Sequence, residues 1–171
     1  LRPDEIEAAL RAVGLAPEGT LSTVGTIRGV YDMKRFAQAV FRTESFDEKG
    51  TLVATNDWGI LFRFDGGFGG EKPPAEPRIK IPDAAPTFEQ ATTIPLEQAL
   101  LYRLTGDLNP LHADPEMAKS VGFDTPILHG LATFGYVGRA VVRHACGGDP
   151  TRLLSIGGQF RKPVVPGDTL R

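Results

Sequence analysis

The segment between Gly66 and Pro86 constrains the fold of this chain more than any other feature. It is rich in glycine and proline, and proline neither donates a backbone hydrogen bond nor fits inside a regular helix or a central strand. Regular structure is therefore predicted on either side of it. We predict an N-terminal half over 1–70, a linker over 71–93 and a C-terminal half over 94–171.

The glycines from Gly67 to Gly70 follow a predicted strand, which is where a nucleotide-binding loop would lie. Such a loop leads into a helix whose first N–H groups hold the phosphate. Here Pro73 and Pro74 come next instead. We therefore interpret these glycines as a flexible link.

The N-terminal half has the period-two pattern of a β-sheet. A short amphipathic helix is predicted at 4–13, strands at 21–31, 35–46 and 51–64, and a turn at 47–50. In the last strand one face is predicted to carry the apolar residues Leu52, Ala54, Trp58, Ile60, Phe62 and Phe64.

The C-terminal half is predicted to mix helices and strands. The patterns place helices near 95–104, 115–120 and 130–144, a strand at 152–162, a turn at 163–168 and a further strand from 169. The long helix is predicted to bury a face made of Leu131, Phe134, Val137 and Val141. Because the chain stops at the start of its last predicted strand, we expect the remaining strands of this sheet to be missing.

Composition excludes several classes of protein. The 171 residues are 41% hydrophobic, enough for one substantial core or two thin ones. A net charge of −2 argues against a nucleic-acid partner, and the apolar stretches are too short to cross a membrane. The single cysteine, Cys146, excludes an intramolecular disulfide and fits a reducing compartment.

The densest group of polar residues in an apolar setting lies in 105–115 and contains Asp107 and His112. Two prolines restrict the backbone around His112, so we expect a rigid loop. At neutral pH an aspartate and a histidine, with ordinary pKa values of about 3.9 and 6.5, can supply a base and an acid to one water molecule. The same residue types also cluster in ordinary turns. Spacing alone leaves a catalytic pair and a surface loop both open.

Gly130 opens the predicted long helix after the sequence PILH at 126–129. The first N–H groups of a helix lack intrahelical partners, and that end of the helix is positive. A ligand oxygen could approach the Gly130 N–H closely because glycine has no side chain. An oxyanion hole and simple close packing of the helix are equally consistent with this pattern.

Two weaker patterns concern a metal site and a phosphate site. His112, His129 and nearby carboxylates show no metal-binding spacing, so we predict no metal. Arg161 and Lys162 at the end of a predicted strand could meet a phosphate, although such pairs usually lie on a solvated edge.

The segment 102–115 (YRLTGDLNPLHADP), followed by Gly122-Phe123 and by 126–131 (PILHGL), resembles the motif of the (R)-specific enoyl-CoA hydratases. These enzymes, also called hydratase 2, belong to the MaoC-like family. The segment 160–168 is similar to the strand and turn that follow the central helix of MaoC-like proteins, and 54–58 and 66–70 resemble the end of the N-terminal half of the two-domain hydratases.

The resemblance implies an α+β hot-dog fold, in which a curved antiparallel sheet wraps a long central helix. It implies a double hot-dog with a degenerate N-terminal half, of which this chain would be an incomplete part, with the catalytic motif in the C-terminal half.

By the same resemblance, the protein is expected to hydrate trans-2-enoyl-CoA to (R)-3-hydroxyacyl-CoA in the β-oxidation of fatty acids or sterol side chains. Asp107 and His112 would activate one water, Asn109 would position the pair, and the Gly130 N–H would bind the thioester oxygen. Arg161 and Lys162 are possible contacts of the CoA phosphates. No cofactor is expected beyond the CoA thioester substrate. A homodimer is expected, in the cytoplasm or, in a eukaryote, the peroxisome.

Three alternatives remain. A dehydratase of acyl-carrier-protein thioesters would differ mainly in carrier and direction. A hot-dog thioesterase would need an acid or base aimed at the thioester carbon, which this motif does not usually serve. A non-catalytic acyl-CoA-binding subunit would be expected to lack the pair, yet Asp107 and His112 are both present.

Overall fold

The computed structural model describes residues 18–75 and 82–171, together with the single residues 11, 14, 16 and 80. Contacts within the chain separate two compact units, Leu1–Pro82 and Asp83–Arg171. The helix predicted at 4–13 lies, apart from Arg11, outside the described residues. The domain boundaries at 70 and 93 stay predictions.

The first unit contains a three-stranded antiparallel sheet. Its strands are β1 (Ser22–Asp32), β2 (Phe36–Phe46) and β3 (Leu52–Arg63), paired in the order β1-β2-β3. All three strand predictions are confirmed. Between residues 18 and 75 the structure shows no long helix, which departs from the long central helix of a hot-dog fold.

The turn and the register of this sheet follow from side-chain chemistry. The Asp47 carboxylate accepts the N–H groups of Lys49 at 2.9 Å and Thr51 at 2.7 Å, which confirms the predicted turn. Trp58 of β3 lies opposite Phe41 of β2. The alternation of strand residues puts the neighbouring position, Asp57, on the other face of the sheet.

The glycine-rich segment after β3 is anchored by Asp32, at the end of β1. The Asp32 carboxylate accepts the N–H groups of Lys34 at 2.8 Å, Gly67 at 2.9 Å and Gly69 at 2.7 Å. Gly67 and Gly69 have φ angles of 81° and 79°, a conformation that favours glycine. The interpretation of these glycines as a flexible link is therefore wrong. Their N–H groups surround a carboxylate of the same chain, as in an anion-binding nest.

The second unit consists of short strands and helices. These are β4 (Thr92–Thr93), α1 (Gln98–Arg103), a 3-10 helix (Pro110–His112), α2 (Pro115–Ser120), α3 (Gly130–Ala145), a 3-10 helix (Pro150–Arg152) and β5 (Thr169–Leu170). β4 and β5 pair antiparallel. The predictions of α2, α3 and the final strand are confirmed, and α1 is shorter than predicted.

The core of this unit forms where α1 and α3 meet the segments beside β4 and β5. Its buried residues are Ile94, Ala99, Leu128 and Ala132, with Tyr102, Tyr136, Val164 and Leu170 packed against them. Two backbone hydrogen bonds hold its edges, from Leu128 N–H to the Val164 carbonyl at 2.7 Å and from Ile94 N–H to the Asp168 carbonyl at 2.8 Å.

The face that α3 buries differs from the prediction. Leu131 is 67% exposed and Val137 is 48% exposed, whereas Ala132 and Thr133 are buried. Small side chains allow a helix to lie close to its neighbours. Hydrophobicity alone predicted the larger residues, whereas the core formed with Ile94 and Leu128 buries the small Ala132 of α3.

The strand predicted at 152–162 is wrong. After the second 3-10 helix, residues 153–162 are described without helix or strand, and Leu154 is 95% exposed. A strand is stabilised by hydrogen bonds to a neighbouring strand. In the described part of the chain β5 pairs with β4 only, so nothing there fixes 153–162 as a strand. Among the described helices, none has the length and apolar character needed to span a bilayer.

Candidate active site

The loop that carries Asp107 begins where α1 unwinds. The Gly106 N–H donates to the Arg103 carbonyl at 3.0 Å, and Gly106 has a φ of 112°, which turns the chain away from the helix axis. Arg103 also donates from its guanidinium to the Leu108 carbonyl at 3.3 Å. These contacts place Asp107 at the outside of a sharp turn.

His112 is held by a capped 3-10 helix. The side-chain oxygen of Asn109 accepts the Leu111 N–H at 3.1 Å, and Pro110 occupies the first position of the helix. Asn109 therefore orients the turn that carries His112, consistent with the positioning role expected of it. The His112 side chain is 9% exposed.

The hydrogen bonds of His112 define which ring nitrogen is available for chemistry. Nδ1 lies 2.7 Å from the carbonyl oxygen of Ile127. A carbonyl only accepts, so Nδ1 donates, and in the neutral ring Nε2 keeps a free lone pair. His112 is thereby prepared to accept a proton at Nε2.

The Asp107 carboxylate lies beside this ring. One of its oxygens and one ring nitrogen from each of His112 and His129 all lie within 4.8 Å of one another. Asp107 is exposed, and its carboxylate accepts the Asn109 N–H at a long 3.3 Å. The carboxylate therefore retains most of its hydrogen-bonding capacity for water or substrate. No spacing rule predicted that His129 would join this cluster.

His129 is a site residue that sequence reasoning considered only as a metal ligand and to which it gave no role. Its side chain is 1% exposed and its ring stacks on that of His112 with centroids 3.7 Å apart. Its Nε2 donates to the main-chain oxygen of Asp107 at 3.2 Å. Burial lowers the pKa of His129 below its ordinary value. The sequence signal that could have identified His129 is its position directly before Gly130, the first residue of the predicted long helix.

Gly130 is the first residue of α3 and lies at a cleft of about 340 Å³. A Cβ at this position would meet the Phe160 ring at 3.5 Å. Of the predicted site residues, His112, Gly130, Arg161 and Lys162 line this cleft, whereas Asp107 and Asn109 do not. The structure thus brings the helix N-terminus, the imidazole and two cations to one cavity.

His112 also lines a second cleft of about 310 Å³. Its remaining walls are mostly apolar and come from Leu96, Ala99, Leu100, Ala113, Thr125, Pro126, Val165 and Pro166. His112 therefore has both a partly basic cavity and a largely apolar one beside it. That arrangement suits a ligand with one charged end and one apolar end.

Comparison with known proteins places this site in a family. Residues 78–171 match the MaoC like domain. The chain is 42% identical over 156 residues to the probable enoyl-CoA hydratase 2 of Dictyostelium discoideum, covering 90% of this chain and 53% of that protein. It is 39% identical over 167 residues to the peroxisomal enoyl-CoA hydratase 2 of Arabidopsis thaliana, covering 91% and 54%.

A solved structure supports the same family. The crystal structure of a MaoC-like dehydratase from Phytophthora capsici matches with a TM-score of 0.76 and 39% identity, covering 88% of this chain and 53% of that one. The chain thus spans about half the length of each of these three proteins. The family match covers more than half of the chain and includes every predicted site residue. The chain therefore belongs to the MaoC-like family of hot-dog proteins.

Proposed function

We propose that this protein adds water to the double bond of trans-2-enoyl-CoA and forms (R)-3-hydroxyacyl-CoA. The observation that carries the proposal is the Asp107 carboxylate beside the ring of His112, whose Nε2 is free to accept a proton. The names of the relatives from Dictyostelium and Arabidopsis support the same reaction.

In this proposal Asp107 and His112 share one water molecule. Its oxygen attacks C3 of the enoyl group and it gives one proton to the pair, while the pair delivers one proton to C2 on the same face. One C–O bond and one C–H bond form, and the C2–C3 double bond becomes single. The two groups act as one acid–base unit, and such catalysis contributes about 10²–10⁴-fold to the rate.

The Gly130 N–H is proposed to stabilise the thioester oxygen as it becomes enolate-like. This N–H lies in the first turn of α3, where the helix dipole favours negative charge. His129 precedes it as the N-cap residue without a side-chain capping bond. A single donor of this kind is worth about 10²–10³-fold in rate.

The CoA portion is proposed to lie toward Arg161 and Lys162. Both line the cleft that also contains His112 and Gly130. The net charge of −2 would not by itself attract a phosphate-bearing ligand, so local cations are needed to bind one. The reaction as proposed uses neither a metal nor a cofactor, because acid–base groups and one N–H donor supply every step.

The test uses the complete protein with crotonyl-CoA and with a longer trans-2-enoyl-CoA. Loss of the conjugated thioester absorbance, with (R)-3-hydroxyacyl-CoA as the product on chiral analysis, is the expected result. An (S) product would contradict the stereochemistry. Release of free CoA would instead identify a thioesterase.

A dehydratase of acyl-carrier-protein thioesters is the second candidate, and the name of the matched Phytophthora protein, a MaoC-like dehydratase, supports the dehydration direction without naming a carrier. The chemistry is the same reaction in reverse, so the carrier decides between the two. Parallel kcat/KM measurements on crotonyl-CoA and on crotonyl-acyl-carrier protein separate them. The CoA thioester is expected to be the better substrate.

We also propose that the protein is a homodimer and that it acts in the cytoplasm or, in a eukaryote, in the peroxisome. The Arabidopsis relative is named as peroxisomal, and hot-dog sheets pair across a two-fold axis by fold analogy. Sedimentation equilibrium of the complete protein tests the dimer.

A further inference from the structure

His129 makes three contacts inside the proposed active site. Its ring stacks on His112 with centroids 3.7 Å apart and an interplanar angle of 27°, and it lies 4.7 Å from the Tyr102 ring. Its Nε2 donates to the main-chain oxygen of Asp107 at 3.2 Å. One side chain thus touches both members of the proposed catalytic pair.

The surroundings of its two ring nitrogens favour the neutral form of His129. Because Nε2 carries the hydrogen that Asp107 accepts, a neutral ring has its lone pair on Nδ1. That atom is buried and has no hydrogen-bond partner. Protonation would place an N–H there with no acceptor, and leaving a buried donor unpaired is unfavourable. The geometry therefore keeps His129 neutral.

The charged groups around His129 act in both directions. Arg103 on α1 and His112 on the 3-10 helix disfavour its protonation, whereas Asp107 favours it. Burial is the largest influence and lowers the pKa of His129. A neutral ring beneath His112 matters for the chemistry, because a charged one 3.7 Å away would oppose the proton that His112 must accept.

We infer that His129 is a positioning residue of this site, which fixes the Asp107 main chain through its Nε2–H and supports the His112 ring face to face as a neutral imidazole. The inference rests on the proposed function. It adds a role for a residue to which neither the motif spacing nor the proposed chemistry assigned one.

Three substitutions distinguish the hydrogen bond to the Asp107 carbonyl from the stacking on the His112 ring. His129→Gln keeps an amide N–H within reach of the Asp107 carbonyl but removes the ring. His129→Phe keeps a ring that can stack but removes the donor, and His129→Leu removes both. We expect Gln and Phe each to lower kcat about tenfold and Leu to lower it further, with KM changed by about twofold or less.

His144→Gln is the matched control. His144 is exposed, and its Nε2 lies 2.8 Å from the side-chain oxygen of Gln90, away from the proposed site. This variant should keep wild-type kcat. Equal losses in His144→Gln and His129→Gln would overturn the inference.

A second background distinguishes positioning from a general loss of folded protein. In a His112→Gln protein, adding His129→Phe should lower kcat about twofold or less, because the His112 ring that His129 supports is already absent. If His129 only stabilised the fold, His129→Phe would lower kcat by the same factor in the wild-type protein and in the His112→Gln protein. That outcome would overturn the inference even if the single variants behave as expected.

NMR titration of histidines labelled in the ring tests the neutral state without any turnover. The His129 signals should titrate with a midpoint below the ordinary value of about 6.5. A midpoint at or above that value would overturn the neutral-imidazole assignment. If wild-type protein hydrates no enoyl thioester, the proposed function fails, while this titration still tests His129 separately.

Discussion

Two aspartates, one in each unit, differ in how many backbone N–H groups their carboxylates accept. Asp32 accepts three backbone N–H groups within 2.9 Å, and those bonds anchor the glycine-rich segment after β3. Asp107 accepts one, at 3.3 Å, and has an imidazole beside it. Both carboxylates follow the same hydrogen-bonding rules. The one whose acceptor sites are occupied stabilises a loop, and the one whose sites are open is available to a water molecule.

The largest effect is expected from removing the open carboxylate or its partner. Asp107→Asn and His112→Gln should each lower kcat by about 10²-fold or more while the protein stays folded, because the shared water loses its base or acid. Steady-state kinetics with crotonyl-CoA and circular dichroism measure both quantities. Asp32→Asn is the matched control and should retain kcat. Near-normal turnover in either folded variant would refute the assignment of the pair.

Gly130→Val should have the next largest effect. Its branched side chain would extend toward the Phe160 ring and narrow the cleft at the proposed oxyanion donor, so kcat/KM should fall about 10–10²-fold. Gly130→Ala is the matched control, because its Cβ would sit 3.5 Å from Phe160, an ordinary contact. Unchanged KM and kcat in the valine variant would show that the oxyanion donor lies elsewhere.

A smaller effect is expected at the basic pair. Arg161→Ala and Lys162→Ala should each raise KM for the CoA thioester by roughly two- to tenfold with little change in kcat, since exposed charges bind phosphate modestly. Added salt should reduce the difference from wild type by screening. An N-acetylcysteamine thioester, which lacks the phosphates, should show no difference.

For Asp32 the effect should appear in stability and in its dependence on pH, not in turnover. The N–H of Gly67 is the largest of the influences that lower the pKa of Asp32 below 3.8. A folded-state pKa below the unfolded value stabilises the fold above the unfolded pKa, and that stabilisation is lost as pH falls through the folded pKa. Asp32→Asn should therefore lower the free energy of unfolding at neutral pH, and the difference should shrink near a pH of about 3. Urea unfolding at both pH values measures this.

The smallest effect should follow metal removal. Two imidazoles and a carboxylate converge, and the hydrogen bonds of Nδ1 of His112 and Nε2 of His129 to carbonyl oxygens leave the other ring nitrogens free. The proposed reaction nevertheless takes its acid, its base and its N–H donor from the protein alone. Dialysis against EDTA should leave kcat/KM unchanged, and added Zn²⁺ should not raise it. Loss of activity on chelation, restored by one metal, would show that the pair works on a metal-bound water.

Much of the fold was predictable because it depends on interactions between near neighbours in the chain. Period-two patterns predicted β1, β2 and β3, and a helix was predicted at 115–120, where the Asp114 carboxylate caps α2 by accepting the Glu116 N–H at 2.8 Å. The strand predicted at 152–162 failed for the opposite reason. A strand depends on a partner that can be far away in the sequence, and local patterns do not identify it.

The site divides in the same way. The family resemblance of the motif from Tyr102 to Pro115 singled out Asp107, Asn109 and His112, and in the structure Asn109 and His112 lie in one short capped turn. The buried face of α3 was predicted incorrectly, because hydrophobicity does not show which helix positions meet the core residues of distant segments such as Ile94 and Leu128.

The sequence by itself determined the strands of the first unit, the two later helices and the family, and it singled out Asp107 and His112 as the candidate pair. Only the tertiary structure decided that Asp32 anchors Gly67, 35 residues away, and that His129 contacts Asp107, 22 residues away. The physical reason is the distance along the chain over which each kind of interaction acts. Caps, turns and periodicity act over a few residues and can be read in order, whereas hydrogen-bond partners and burial depend on which distant segments the fold brings together.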